Sequence, residues 1–238
     1  MGGGGGTSAS TSSTTSTSSS GGASSGSITR VQAIYPQHYV QGTTLSATID
    51  QTAGNTLVVA ALQQLAGTTV TVTDTESSTW HALGSYSNSV CGTANGSYSG
   101  AQIWYANDIA SGSNTVTLTV SGGMTYLWLV VVEYAGVNPI EPVSSNGVVA
   151  STSTTVMNAG AVMTTGAHSL VVGLFHDAYQ STPMTAGPGF TKIAEETDLE
   201  AMLEDDVDVP PGSSSATALA TGQADDCWVA TAAAFEAN

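Results

Sequence analysis

The sequence predicts an all-β protein: an antiparallel two-sheet sandwich of jelly-roll or Ig-like type, preceded by a flexible N-terminal tail. Three observations carry that expectation. Several segments alternate strictly between apolar and hydroxyl side chains, other segments are continuous apolar runs of strand length, and no segment sustains a helical period with caps.

From Gly2 to Ser27 every residue is Gly, Ser, Thr or Ala. Such a segment has nothing to bury and cannot offset its own ordering entropy, so residues 1–27 read as a tether or stalk. No basic-then-apolar leader opens the chain, and the expectation is an exported protein given without its leader. The body, 28–238, reads as strands throughout. Leu57 to Leu62, Tyr126 to Val132 and Leu170 to Phe175 are apolar runs suited to central strands covered on both faces. Val70-Thr71-Val72-Thr73 and Thr115-Val116-Thr117-Leu118-Thr119-Val120 alternate, so each buries one face and shows hydroxyls on the other. Turn clusters separate them: Thr52 to Asn55, Ser111 to Asn114, Ser121 to Gly123 and Pro210 to Gly212. Strands spaced by roughly 8–12 residues are the rhythm of a sandwich or barrel.

An internal echo runs through the body. At an offset of 100, residues 101–128 match 201–228 at seven of 28 positions, Trp128 against Trp228 among them. Val116, Leu118 and Val120 are answered by Ala216, Ala218 and Ala220, and Leu57-Val58-Val59 recurs as Leu170-Val171-Val172. Two related halves sharing one large sandwich over 28–238 account for this. The alternative is two tandem domains, 28–138 and 139–238.

Composition narrows the function. Charged residues are only 8% of the 238, and two cations, Arg30 and Lys192, stand against eighteen carboxylates for a formal charge of −16. Nucleic acid is excluded as a partner, because almost no cation is available to replace phosphate counterions. An anionic membrane surface is disfavoured for the same reason. No apolar stretch reaches the ~18 residues of a membrane-spanning helix. Hydroxyls in place of Lys and Glu suit an extracellular exterior.

Several residues could carry chemistry. Cys91 and Cys227, the only cysteines, fall one in each half, and a bridge between them would stabilise the fold by up to about 5 kcal/mol. Two unbridged thiols are the alternative. Glu195 to Asp208 holds eight carboxylates in 14 residues. Within it Glu196, Asp198 and Glu200 form an E-x-D-x-E pattern, similar to the catalytic strand of jelly-roll β-glucanases, where alternate carboxylates face a sugar cleft. That chemistry needs two carboxyl groups about 5–5.5 Å apart for retention. A plain acidic loop or edge is the simpler account. Asp205, Asp206 and Asp208 offer hard oxygen ligands for Ca2+, in a spacing that fits no EF-hand; no other cofactor is implied. Trp80, Trp104 and Tyr105 could form a sugar-stacking platform, whereas Trp128 and Trp228 read as core. His38, His81, His168 and His176 are dispersed and read as surface or turn residues.

Four segments together resemble a β-sandwich module of secreted and surface proteins of environmental bacteria. They are Thr52-Ala53-Gly54-Asn55-Thr56-Leu57-Val58-Val59, then Gln102-Ile103-Trp104-Tyr105-Ala106 leading to Gly112-Ser113-Asn114-Thr115-Val116-Thr117, and Glu133-Tyr134-Ala135-Gly136-Val137. The resemblance spans roughly residues 40–237 and implies an extracellular, non-catalytic, structural or adhesive module without catalytic residues to carry over. Its expected partners are a surface polymer or glycan, or further copies of the chain in a filament whose tail completes a neighbour's sheet. A carbohydrate-binding module is the second expectation and a glycoside hydrolase the third.

Overall fold

A computed structural model describes residues 26–36, 38–63, 69–88, 99–139, 144–150, 154–177, 183–220 and 228–238. Cys91, Cys227 and the 1–25 part of the tail lie outside the described residues. Among those described, the secondary structure is strand alone, and no helix is long and apolar enough to cross a membrane.

The first half contributes β1 (Thr29–Ile34), β2 (Val40–Gly42), β3 (Thr44–Gln51), β4 (Thr56–Gln63), β5 (Val70–Asp74), β6 (His81–Asn88), β7 (Ser99–Ala106), β8 (Gly112–Val120) and β9 (Thr125–Ala135). The second contributes β10 (Ser144–Ala150), β11 (Val156–Thr164), β12 (Ser169–Asp177), β13 (Met184–Ala186), β14 (Thr191–Glu196), β15 (Ala201–Val209), β16 (Gly212–Ala220) and β17 (Trp228–Phe235). All pairings are antiparallel. The large sheet of the first half runs β1-β9-β4-β7-β6, with β2 also on β9, and its small sheet runs β3-β8-β5. The second half repeats this as β10-β17-β12-β15-β14 and β11-β16-β13. This is jelly-roll order with one strand, β6 or β14, moved from the small sheet to the edge of the large one.

Three apolar layers hold four sheets in a stack. Leu57, Val59 and Leu129 of the first large sheet meet Ile49, Val116 and Leu118 of its small sheet. Phe175, Met202 and Trp228 meet Met157 and Ala216 in the second half. Between them the two large sheets pack face to face through Val58, Ile103, Trp128, Leu174, Leu203 and Phe235. The central strands β4, β9, β12 and β17 are therefore covered on both faces, which is why their sequences are apolar without alternation. The outer strands β3 and β8 alternate, with only one side against the core.

Equivalent strands of the two halves match at an offset of 100 in β7/β15 and β8/β16, but not beyond. Val59 pairs with Trp104 and Val131, and Gly173 pairs with Glu204 and Ala232. The offset is thus 101 for β9/β17, and Leu57-Val58-Val59 corresponds to Val171-Val172-Gly173. Trp128 consequently faces the middle core, and Trp228 faces the core within the second half. A one-residue slip in a strand exchanges its faces.

Two glycines are forced by approach. A Cβ on Gly173 would sit 2.5 Å from the Ala216 Cβ, so the small residues of the second half let its sheets close up. Gly136 adopts φ +82° where a Cβ would collide with the Ser27 carbonyl, which fixes the chain's entry beside β9.

Candidate functional site

The seam between the two large sheets holds a charged contact between the two halves. Arg30, on β1, projects to β15 and donates from its guanidinium to Asp205 Oδ1 at 2.8 Å. Tyr134, fully buried on β9, donates its hydroxyl to Asp205 Oδ2 at 2.9 Å. One carboxylate of the second half therefore answers two donors of the first. Burial pushes the Asp205 carboxyl up, opposed by Arg30 and by the Tyr134 hydroxyl. Burial, followed by the Asp205 charge, drives the Tyr134 hydroxyl well above its ordinary range. Beside this triad lies a cavity of about 280 Å³ lined by Arg30, Gln32, Tyr35, Lys192 and Ile193, with Val31 and Ala33. The chain's only two cations thus share one cleft. Lys192 donates to Glu195 Oε2 at 2.6 Å and to the Met184 carbonyl at 2.9 Å, so both cations are already met by carboxylates. The cleft clamps the halves together; it offers no uncompensated charge to an anion.

Two further carboxylates are fully buried and act as ties for backbone. Glu133 on β9 accepts from Gln32 Nε2 at 2.6 Å, the Thr52 N–H at 2.8 Å and Asn55 Nδ2 at 2.6 Å, pinning the turn before β4. Glu204 stands on β15 where Trp104 stands on β7, and accepts from the Gly187 N–H at 2.9 Å and the Thr217 N–H at 3.1 Å. Burial pushes its carboxyl up to about 7, against the pull of those two donors.

Most of the residues singled out in sequence are dispersed. The E-x-D-x-E pattern is not a strand: Glu196 ends β14, residues 197–200 are a turn, and Glu200 has φ +54° before β15 begins. The alternating projection that a glucanase-type cleft requires is therefore lacking. Instead Glu196 and Asp198 fold onto each other, the Asp198 N–H donating to Glu196 Oε1 at 3.0 Å. Asp205, Asp206 and Asp208 do not converge either. Asp205 is taken by Arg30 and Tyr134, while Asp206 accepts from the Asp208 N–H and Asp208 pairs with His168 Nδ1. Asp205 thus points to the face opposite Asp206 and Asp208, as neighbouring strand residues do. Trp104 and Tyr105 do point oppositely, but into two different cores, at 4% and 1% exposure. They present no stacking platform to a sugar. Trp80 is half-buried against the first core.

Of the four histidines, His81 stacks on Tyr105 with ring centroids 5.0 Å apart. His176 is fully buried, and burial lowers it to about 4. His38, in the segment between β1 and β2, lies against Glu196, a contact that sequence spacing gave no signal of.

The most regular surface is the outer face of β3-β8-β5. Register aligns Thr44, Thr119 and Thr71 in one row, and Ser46, Thr117 and Thr73 in the next. Thr48 and Thr115 form a third. The hydroxyls of Ser46 and Thr117 lie 2.9 Å apart and those of Thr48 and Thr115 3.0 Å apart, each pair hydrogen-bonded. Rows repeat at about 4.8 Å across the strands and about 7 Å along them. The matching face of the second half is interrupted by exposed Val156, Met163 and Leu219. No protein-family model matches the chain, and neither does any curated protein or solved structure.

Proposed function

We propose that this chain is a non-catalytic, extracellular adhesive module whose hydroxyl-bearing sheet β3-β8-β5 lies against a neutral polyhydroxyl polymer of a cell surface. The observation that carries this reading is the ordered set of Thr and Ser side chains on that sheet. A threonine offers a methyl beside a hydroxyl, and a sugar ring offers C–H beside hydroxyl groups. Two such surfaces meet without burying an unpaired polar atom. A formal charge of −16 makes polyanions poor partners and leaves uncharged polysaccharides as the chemistry that fits. Contacts of this kind are weak singly and add up along a repeating polymer.

Depletion from solution by insoluble glucan or chitin tests the reading. Wild-type protein is expected to bind. The double variant Thr48→Glu, Thr117→Glu, which sets charge into the middle of the face, is expected to lose at least tenfold in affinity. Ser215→Glu on the second half's outer face serves as the control and should bind as wild type. Equal binding by the double variant, or no binding by any protein, would refute the proposal.

A further inference from the structure

Where the β14–β15 turn meets the segment after β1, three potential metal ligands come together from distant parts of the chain. The ligand atoms of His38, Glu196 and Asp198 lie within 4.8 Å of one another. His38 belongs to the first half, and Glu196 and Asp198 to the second. Glu196 is 2% exposed, and its Oε2 has no hydrogen-bond partner. Its other oxygen is held by the Asp198 N–H at 3.0 Å, which fixes the direction in which Oε2 points. The nearest group of opposite potential charge is His38 Nδ1, at 4.0 Å, too far for a hydrogen bond. The Tyr39 N–H also stabilises the charged form of the same carboxylate, while Oε2 itself keeps no hydrogen-bond partner. Burial raises the Glu196 carboxyl above its ordinary range, opposed by the Asp198 N–H and by His38.

A buried carboxylate oxygen left without a donor is unfavourable, and a bound water or ion at that position would relieve the cost. We infer that His38, Glu196 and Asp198 bind one divalent transition-metal ion of the Zn2+ type, joining the two halves across their seam. One imidazole with two carboxylates suits that class, whereas Ca2+ takes six to eight oxygens. Three protein ligands leave a fourth tetrahedral position for water. Metal–ligand bonds of about 2.0–2.2 Å put tetrahedral ligand atoms roughly 3.3 Å apart, so the cluster must contract by less than about 1.5 Å. His38 supplies that movement, since its side chain is 81% exposed.

The test uses the full chain, stripped with EDTA and titrated with ZnCl2 or CaCl2 by calorimetry and thermal unfolding. One Zn2+ per chain is expected, with Tm raised by about 5–10 °C when free Zn2+ is 100 times Kd. Glu196→Gln and His38→Ala should each weaken Zn2+ at least tenfold. His38→Ala should leave the metal-free Tm unchanged, because the side chain is exposed. His168→Ala, which removes the His168–Asp208 contact, should bind Zn2+ as wild type. Absence of stoichiometric Zn2+ binding, equal affinity in His38→Ala, or a larger shift with Ca2+ than with Zn2+ would each overturn the assignment.

Discussion

Replacing Glu204 by Gln should change how stability depends on pH. The carboxyl is fully buried and pushed from an unfolded value near 4.5 up to about 7 in the folded chain. The folded state therefore holds the proton more tightly than the unfolded state. The resulting stability is complete below pH 4.5 and is lost as pH rises through 7. A difference of about 2.5 pH units at 1.36 kcal/mol each amounts to roughly 3 kcal/mol between pH 4 and pH 8. Gln carries no titrating proton, but both carboxylate oxygens accept backbone N–H groups. One of those donors must then face an amide NH2, costing about 1–3 kcal/mol at every pH. Urea unfolding of both proteins at half-unit steps from pH 4 to 8 reads the difference, from which the other titrating groups cancel. Wild type should be the more stable at pH 4, and the gap should close or reverse by about 3 kcal/mol at pH 8. Parallel curves would show that Glu204 does not titrate in this window and that the burial argument is wrong.

Other consequences follow from the same geometry. Asp205→Ala leaves the buried Tyr134 hydroxyl and Arg30 without their acceptor and should cost about 3 kcal/mol by denaturant unfolding, the lower end for a broken buried pair because Arg30 keeps some water. A cost below 1 kcal/mol would mean that the seam is held by apolar contact alone. Gly173→Ala should destabilise by about 1–3 kcal/mol, since its Cβ would press on that of Ala216; a neutral or stabilising effect would mean that the two sheets of the second half can part at no cost. Protonating the eighteen carboxylates lowers the −16 repulsion between molecules, so sedimentation should show more self-association at pH 4 than at pH 7. Unchanged sedimentation would remove charge as the solubilising factor.

Much of the architecture is legible from periodicity. Thr115 to Val120 alternates because one face of β8 is solvated, and Leu127 to Val132 does not because β9 is covered twice. The Val116, Leu118, Val120 face and its Ala216, Ala218, Ala220 counterpart occupy equivalent positions in the two halves. The Trp128–Trp228 match is misleading, because identity at an offset cannot reveal a one-residue shift that turns the strand over. The E-x-D-x-E pattern misleads for a related reason. Composition does not disclose that the chain turns back at 197–200 with Glu200 in the left-handed region. The encounter of His38 with Glu196, and of Arg30 with Asp205, depends on how two sandwiches dock, which no local signal encodes.

The most direct test is to locate the contact itself. Threonine-methyl NMR spectra of the protein, recorded with soluble fragments of the polysaccharide that depletes it, report which sheet is touched. The account expects shifts confined to Thr44, Thr48, Thr71, Thr73, Thr115, Thr117 and Thr119, with the second half unmoved. Shifts centred instead on the residues around Arg30 and Lys192, or the same shifts with an unrelated charged polymer, would contradict it.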